Sequence, residues 1–274
     1  MTRSARRTRT LRTAAAGAVA LLALGACSSS SSDGSSSSGP DSSASSSPRP
    51  SGTVTVFAAA SLKESFTTLG KEFERQHPGT EVAFNFGGSD TLAASITAGA
   101  PADVFAAASA RTMATVTDGK DAAGTPVAFA RNQLEIATLP GNPDGISSLK
   151  DLTKPGLKVV LCDKAVPCGA AAQKALGASH LKLTPVSYEQ DVRSALTKVE
   201  LKEADAAVVY KTDVKAAGGR VQGVEFPESA EALNDYPITL LKNAPNAAAA
   251  KAFVELVTSA GGQQVLTRAG FLKP

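Results

Sequence analysis

The fold is decided by residues 54–73, VTVFAAASLKESFTTLGKEF, in which the spacing of the apolar residues changes once. The first four residues are β-branched or aromatic, a composition typical of a buried β-strand. Beyond Ala60 the apolar residues recur at the spacing of one helix face, at Leu62, Phe66, Leu69 and Phe73. The stretch therefore predicts a strand, a short loop and an amphipathic helix.

The same order of elements is repeated along the rest of the chain. Further strands are predicted at residues 82–86, 102–105, 158–161 and 206–210. Helices are predicted after residues 87–89, after residues 167–169 and from Asp191 onward, where Asp191 is an expected N-cap. Strands that alternate with helices are typical of α/β proteins with mostly parallel sheets, which is the fold class that we predict.

The N-terminal segment is typical of an exported lipoprotein. Five arginines precede an apolar run, residues 14–24, that is too short to span a bilayer. The run ends in LGAC at residues 24–27, which resembles the lipobox of bacterial lipoproteins. We predict a signal peptide at residues 1–26 and a lipid anchor on Cys27; the alternative is an ordinary signal peptide cleaved nearby. The serine-rich residues 27–52 have almost nothing to bury and predict a disordered tether.

The charge of the mature chain excludes several classes of partner. Five of the 28 basic residues and none of the 25 acidic residues precede Cys27, so 23 bases face 25 acids after cleavage. Such a chain lacks the excess of basic residues that nucleic acids attract, and we predict no nucleic-acid partner. Any anionic ligand must be held by local hydrogen-bond donors.

The mature chain has two cysteines besides Cys27. Cys162 and Cys168 are an even pair in a protein destined for an oxidising compartment, so we predict a disulfide between them. Two cysteines cannot complete a four-ligand zinc site, and the two histidines, His77 and His180, stand alone in the sequence.

Small or hydroxyl residues stand where predicted strands lead into helices. They are Ser61, Ser89 and Cys168, and Val192 begins another helix. The first N–H groups of a helix have no internal partner, and the helix dipole favours negative charge there. These junctions predict an oxyanion site at the carboxyl ends of the strands. The alternative for each serine is an N-cap, and the alternative for Tyr210 is a core residue.

Seven segments share a pattern with one known family: VFAAASL at 56–62, FGGSDTL at 86–92, GAPADVF at 99–105, Asp191-Val192-Arg193, Val208-Val209-Tyr210, Tyr236-Pro237 and Gly270-Phe271. Together they resemble the periplasmic molybdate-binding proteins of ABC importers, over residues 53–274. The resemblance implies that Ser61, Ser89 and Tyr210 bind the oxyanion through their hydroxyls. It implies backbone N–H donors at Cys168 and Val192.

The resemblance also implies an architecture and partners. We expect a two-lobed fold of type II, with molybdate or tungstate in the cleft between the lobes. Lobe one would comprise residues 53–130 and 240–274, and lobe two residues 131–239. The closed form would deliver its ligand to a membrane permease. We expect a monomer that is not an enzyme and carries no cofactor.

A site built of donors alone also bears on the choice of ligand. Molybdate, tungstate and sulfate carry no proton at neutral pH, whereas phosphate does and needs an acceptor. Sulfate or another oxyanion therefore stays an alternative. Asp90 and Cys168 depart from the small neutral residues that the family pattern favours; Asp90 in the first helical turn is locally favourable if its side chain points away from the ligand.

Other functional classes have less support in the sequence. Ser-x-x-Lys occurs at residues 147–150 and 179–182, without the companion motifs of serine acyltransferases or β-lactamases. Ferric-binding proteins tend to use several tyrosines and a histidine, and this chain offers three tyrosines. A purely structural lipoprotein has no need of donors at so many helix starts.

Overall fold

The computed structural model describes residues 50–274. The expected signal peptide, the lipidation site at Cys27 and nearly all of the expected tether lie outside the described residues. The first strand begins at Gly52, so the folded chain starts at the predicted end of the tether. Within residues 50–274 no helix is both long and apolar enough to cross a membrane.

The described chain contains ten strands and eight α-helices, joined in part by short 3-10 turns. The chain first forms β1 (Gly52–Ala59), α1 (Lys63–Gln76), β2 (Thr80–Gly87), α2 (Ser89–Thr97), β3 (Val104–Ala106), α3 (Ala110–Asp118) and β4 (Val127–Asn132). It continues with β5 (Leu134–Thr138), β6 (Val159–Cys162), α4 (Pro167–Ala178), β7 (Ser187–Glu189), α5 (Val192–Glu200), β8 (Ala206–Tyr210), α6 (Lys211–Ala217) and β9 (Gln222–Val224). It closes with β10 (Asn234–Leu240), α7 (Ala247–Thr258) and α8 (Ala260–Ala269).

The opening stretch folds as its pattern predicts. Val54 and Val56 of β1 are fully buried, and α1 buries the predicted face of Phe66, Leu69 and Phe73. The ring of Phe253 from α7 packs edge-on against Phe66 and Phe73, with centroids 6.0 and 5.6 Å apart. This aromatic contact ties the C-terminal helices to the first strand-helix unit.

The strands form two five-stranded sheets, each with its own hydrophobic core. The first sheet has the order β2-β1-β3-β10-β4 and the second β7-β6-β8-β5-β9. This arrangement confirms the α/β class and the two lobes. The expectation of mostly parallel sheets is wrong: in each sheet the two pairings on one side are parallel and the two on the other are antiparallel. The chain enters lobe two through β4 and β5 and leaves it through β9 and β10. The strands that pair at the crossing, β4 with β10 and β5 with β9, therefore run in opposite directions.

The chain passes between the lobes at two places. It leaves the first sheet at Asn132, the end of β4, and enters the second at Leu134. It returns between β9 and β10, where Asn234 pairs in register with Asn132. The expected boundary at residues 239–240 is therefore wrong, because β10 hydrogen-bonds to β3 and β4 and belongs to lobe one. The strand pairing across the two passages was not visible in the sequence.

Candidate functional site

All five predicted ligand residues line one small cavity between the lobes. Its volume is about 20 Å³, and its walls include Ser61 and Ser89 from lobe one and Cys168, Val192 and Tyr210 from lobe two. A single water molecule needs about 10–15 Å³ by the same measure. The cavity therefore has the size for one small inorganic ion and is too small for a sugar or a peptide.

The two serines come from adjacent strands of the first sheet. Ser61 lies in the 3-10 turn between β1 and α1, and Ser89 is the first residue of α2, directly after β2. Because β1 and β2 are parallel, their carboxyl ends meet at one edge of the sheet and bring both serines to the cleft. Both side chains are buried, with 5% and 1% of their surfaces exposed.

Neither serine acts as a helix cap. The N-cap position of α1 is Leu62 and that of α2 is Gly88, and neither helix start has a side-chain capping bond. The oxygen of a capping serine would accept a hydrogen bond from a backbone N–H group of the first helical turn. The N-cap alternative is therefore excluded for Ser61 and Ser89. Asp191, by contrast, caps α5 as predicted, and its carboxylate accepts from the N–H groups of Arg193 and Ser194.

Two helices of lobe two begin at the cavity. Cys168 is the second residue of α4 and Val192 the first residue of α5. Since the N–H groups of a first helical turn have no partner within the helix, both can face an anion. Cys168 is bonded to Cys162 through a disulfide with a Cα–Cα distance of 5.8 Å, which links the start of α4 to the end of β6.

The turn before α4 leaves no space for a side chain at Gly169. A Cβ atom there would lie 1.9 Å from the carbonyl oxygen of Asp163 and 2.6 Å from that of Cys162. The helix start is thus packed directly on the backbone that follows β6. Glycine at this position allows the N-terminus of α4 to reach the cavity.

Tyr210 ends β8 and closes the cavity from lobe two. The residue is 1% exposed, and its hydroxyl accepts a hydrogen bond from Asn234 Nδ2 at 2.9 Å. Burial, with the nearby Tyr236 and Asp213, raises the pKa of Tyr210 well above its usual range. The hydroxyl therefore keeps its proton at neutral pH and can donate it.

The serine hydroxyls also have partners in the protein. Ser89 Oγ accepts from the backbone N–H of Ala108 at 3.0 Å. Ser61 Oγ lies 2.9 Å from the hydroxyl of Tyr236, whose ring is fully buried in lobe one. Asn132 Nδ2 donates to the same Tyr236 hydroxyl at 3.3 Å.

Several charged groups surround the cavity without lining it as ligands. Asp90 is not among the lining residues, although its Oδ1 is buried without a hydrogen-bond partner in the described chain. Arg193 Nη2 of α5 pairs with Glu64 Oε1 of α1 at 2.9 Å, which connects the two lobes. Burial raises the pKa of Asp213 to about 7, although the Tyr210 N–H and the Arg193 charge act in the opposite direction.

Three further residues support the site hydroxyls: Asn234 bonds to Tyr210, Tyr236 contacts Ser61, and Asn132 bonds to Tyr236. The sequence analysis did not identify either asparagine, and Tyr236 entered only through the family resemblance. Asparagine is disfavoured within strands, so two buried asparagines at strand ends indicate that their side chains make specific hydrogen bonds.

The chemistry of the site is that of an anion receptor. Three hydroxyls and the N-termini of helices from both lobes converge on one small volume, and donors of this kind replace the hydration that an anion loses on burial. The one carboxylate on the wall, that of Asp191, is occupied by the N–H groups of its own helix.

Comparison with known proteins identifies the family of the chain. Residues 54–272 match the family described as bacterial extracellular solute-binding protein. A molybdate-binding protein ModA of Mycobacterium tuberculosis is 44% identical over 222 residues, covering 81% of this chain and 85% of that protein. ModA of Escherichia coli is 31% identical over 230 residues, with 80% and 89% covered.

A solved structure has the same fold. The periplasmic molybdate-binding protein of Azotobacter vinelandii superposes with a TM-score of 0.71 and covers 81% of this chain and 99% of its own, at 19% identity. The chain therefore belongs to the bacterial extracellular solute-binding proteins, and within them to the ModA-type periplasmic binding proteins.

Proposed function

We propose that this protein captures molybdate, or the isostructural tungstate, and delivers it to the permease of an ABC importer. The observation that carries the proposal is the cavity itself, where Ser61, Ser89 and Tyr210 meet two helix N-termini in a volume of about 20 Å³. Relatives that are named molybdate-binding proteins align with 80–81% of the chain. The protein works outside the cytoplasm.

Binding is capture without chemical conversion. Donors come from both lobes, so the ligand binds the closed form more strongly and shifts the population toward it. The protein acts as a monomer and needs no cofactor. We propose no enzymatic activity, because the site holds its ligand through hydrogen bonds and presents no free nucleophile or base to it.

The experiment is a thermal shift of the purified full-length protein with molybdate, tungstate, sulfate or phosphate. A ligand that binds only the folded state stabilises it by about 2.7 kcal/mol at a hundred times its Kd. We expect a shift of several degrees with molybdate and tungstate alone. A shift with sulfate would change the substrate and keep the oxyanion site. No shift with any of the four would refute the proposal.

The site assignment has its own test. Ser61→Ala combined with Ser89→Ala removes two of the three hydroxyl donors without changing the backbone, and we expect it to abolish the molybdate shift. The matched control is Ser95→Ala. The Ser95 hydroxyl donates to the carbonyl oxygen of Thr91 within α2, and Ser95 does not line the cavity. Retained tight binding in the double variant would contradict the assignment.

We also propose that Cys27 carries a lipid that anchors the protein to the outer face of the cell membrane. The LGAC motif and the serine-rich segment that follows it support this. Cys27→Ser should move the protein from the membrane fraction to the soluble extracytoplasmic fraction. An unchanged distribution between the two fractions would contradict lipid anchoring and leave the binding function untouched.

A further inference from the structure

Two of the three cavity hydroxyls, those of Ser89 and Tyr210, accept a hydrogen bond from the protein. Ser89 Oγ accepts from the Ala108 N–H, and Tyr210 OH accepts from Asn234 Nδ2. Among the described residues no protein atom accepts the hydrogen of Ser89 Oγ, whereas the Tyr210 hydroxyl also lies near that of Tyr236. A hydroxyl has one hydrogen and two lone pairs, so a bond accepted from the protein leaves the hydrogen for the cavity.

The direction of the Asn234 bond is fixed by its second partner. Asn234 Nδ2 also lies 2.7 Å from the carbonyl oxygen of Ala108, which can only accept. The amide nitrogen therefore faces both Ala108 and Tyr210, and Tyr210 OH must be the acceptor. The peptide of Ala108 thus connects two site hydroxyls, since its N–H donates to Ser89 and its C=O holds Asn234.

A second chain of bonds reaches Ser61. Asn132 Oδ1 accepts from the N–H of Gln133 at 3.0 Å, which turns its Nδ2 toward Thr212 Oγ1 and the Tyr236 hydroxyl. The Tyr236 hydroxyl accepts from Asn132 and lies 2.9 Å from Ser61 Oγ, a contact in which either oxygen can be the donor. Ser61 has one hydrogen, so if it donates to a bound oxyanion, Tyr236 must be the donor of this pair.

We infer that Asn132, Asn234 and Tyr236 are positioning residues that orient the three cavity hydroxyls as donors to the bound oxyanion. The inference rests on the proposed function and adds to it the residues that set the direction of the hydrogen bonds. Both asparagines lie where the chain passes between the lobes and pair with each other in register. The polarity of the site is therefore built into the two connecting strands.

The experiment is a double-mutant cycle read by calorimetric titration of the full-length protein with sodium molybdate. Tyr236→Phe removes the donor to Ser61 and keeps the ring that packs on Phe129 and Phe271. We expect the Kd to rise about tenfold, because Ser61 loses the neutral hydrogen bond that orients its hydrogen toward the ligand. In a Ser61→Ala background the same change should alter the Kd by less than about twofold, because no hydroxyl remains to be oriented.

A matched cycle tests the second chain of bonds. Asn234→Ala should weaken binding in the wild type and have no further effect in a Tyr210→Phe background. As the control, Tyr236→Phe in the Tyr210→Phe background should keep its full tenfold effect, since Tyr236 acts through Ser61. If Asn234→Ala destabilises the fold, the Tyr236 cycle decides the inference without it.

The outcomes separate the inference from the proposed function. Wild-type binding of molybdate with an equal effect of Tyr236→Phe in both backgrounds would overturn the inference alone, because the hydroxyl would then act through packing. An unchanged Kd in Tyr236→Phe would also overturn it. Wild-type protein that binds no molybdate would overturn both.

Discussion

Gly88 lines the cavity where lobe one packs against lobe two, and a single methyl group there should prevent closure. A Cβ atom on Gly88 would lie 2.6 Å from the carbonyl oxygen of Gln190 and 3.6 Å from Val166 Cγ1, both in lobe two. The backbone of Gly88 has φ −60° and ψ 130°, which alanine adopts without strain. The same Cβ would lie 2.8 Å from Asp90 Oδ1 in lobe one, which is the end of a side chain and can turn aside. Gly88→Ala therefore conflicts with backbone only between the lobes.

The size of the effect follows from the distance. Ordinary van der Waals contact begins at 3.4 Å, so the lobes must separate by about 0.8 Å at this point to admit the methyl group. A hydrogen bond of about 2.8 Å between the ligand and one lobe would lengthen to about 3.6 Å, which is beyond hydrogen-bonding distance. Overpacking of a tight contact costs about 1–3 kcal/mol, which corresponds to a Kd that rises between about 5-fold and 150-fold.

The assay is a calorimetric titration with molybdate, together with the melting temperature of the ligand-free protein. We expect weaker binding with an unchanged melting temperature, because the ligand-free protein relieves the conflict by opening. Gly177→Ala is the matched control, since a Cβ there meets nothing within 4 Å. An affinity equal to the wild type would refute the reasoning, and so would a loss of stability as large as the loss of binding energy.

Three further predictions concern stability, each measured by urea unfolding. Burial raises the pKa of Asp213 from 3.8 to about 7, so the stability that its protonated form contributes is fully present below about pH 4 and is lost as the pH rises to 7. The free energy of unfolding of Asp213→Asn should therefore rise relative to that of the wild type by about 1.4 kcal/mol per pH unit across that window. A difference that is constant with pH would contradict the burial effect. Gly169→Ala should cost about 3 kcal/mol because its methyl group meets backbone carbonyls, whereas equal stability would mean that the turn before α4 yields easily. Replacing Cys162 and Cys168 by serine should cost only about 2 kcal/mol because the disulfide closes a short loop, and a loss of twice that size would indicate that the bond also holds α4 in place.

The sequence predicted those parts of the fold that local patterns encode. Residues 54–73 predict β1 and α1 because the change in the spacing of the apolar residues lies within a single short segment. The strand 206–210 is predicted for the same reason, as an unbroken apolar run. The strand order within each sheet is a different kind of information, since it depends on which distant segments pair. No local pattern separates β10 from lobe two, and the boundary was misplaced for that reason.

The cavity was predictable at the level of residues and not at the level of hydrogen-bond direction. Ser61 and Ser89 stand at strand-helix junctions that any reader of the sequence can find, but so do many capping serines. The decision between ligand and cap depends on where the oxygen points, and this is set by Ala108 and Tyr236, which are 19 and 175 residues away. Sequence separation of this size hides the partner.

The strands that connect the lobes can control the direction of the hydrogen bonds in the site. A closed cleft must bring donors from both lobes to one ion, and its hydroxyls must all present hydrogen at the moment of closure. Asn132 ends β4 and Asn234 begins β10, where the chain passes between the lobes. The two asparagines therefore touch groups of both lobes: Thr212 and Tyr210 in lobe two, Tyr236 and the Ala108 carbonyl in lobe one. Orientation of the donors and relative placement of the lobes are therefore set by one pair of residues, and a change in either asparagine should alter both together.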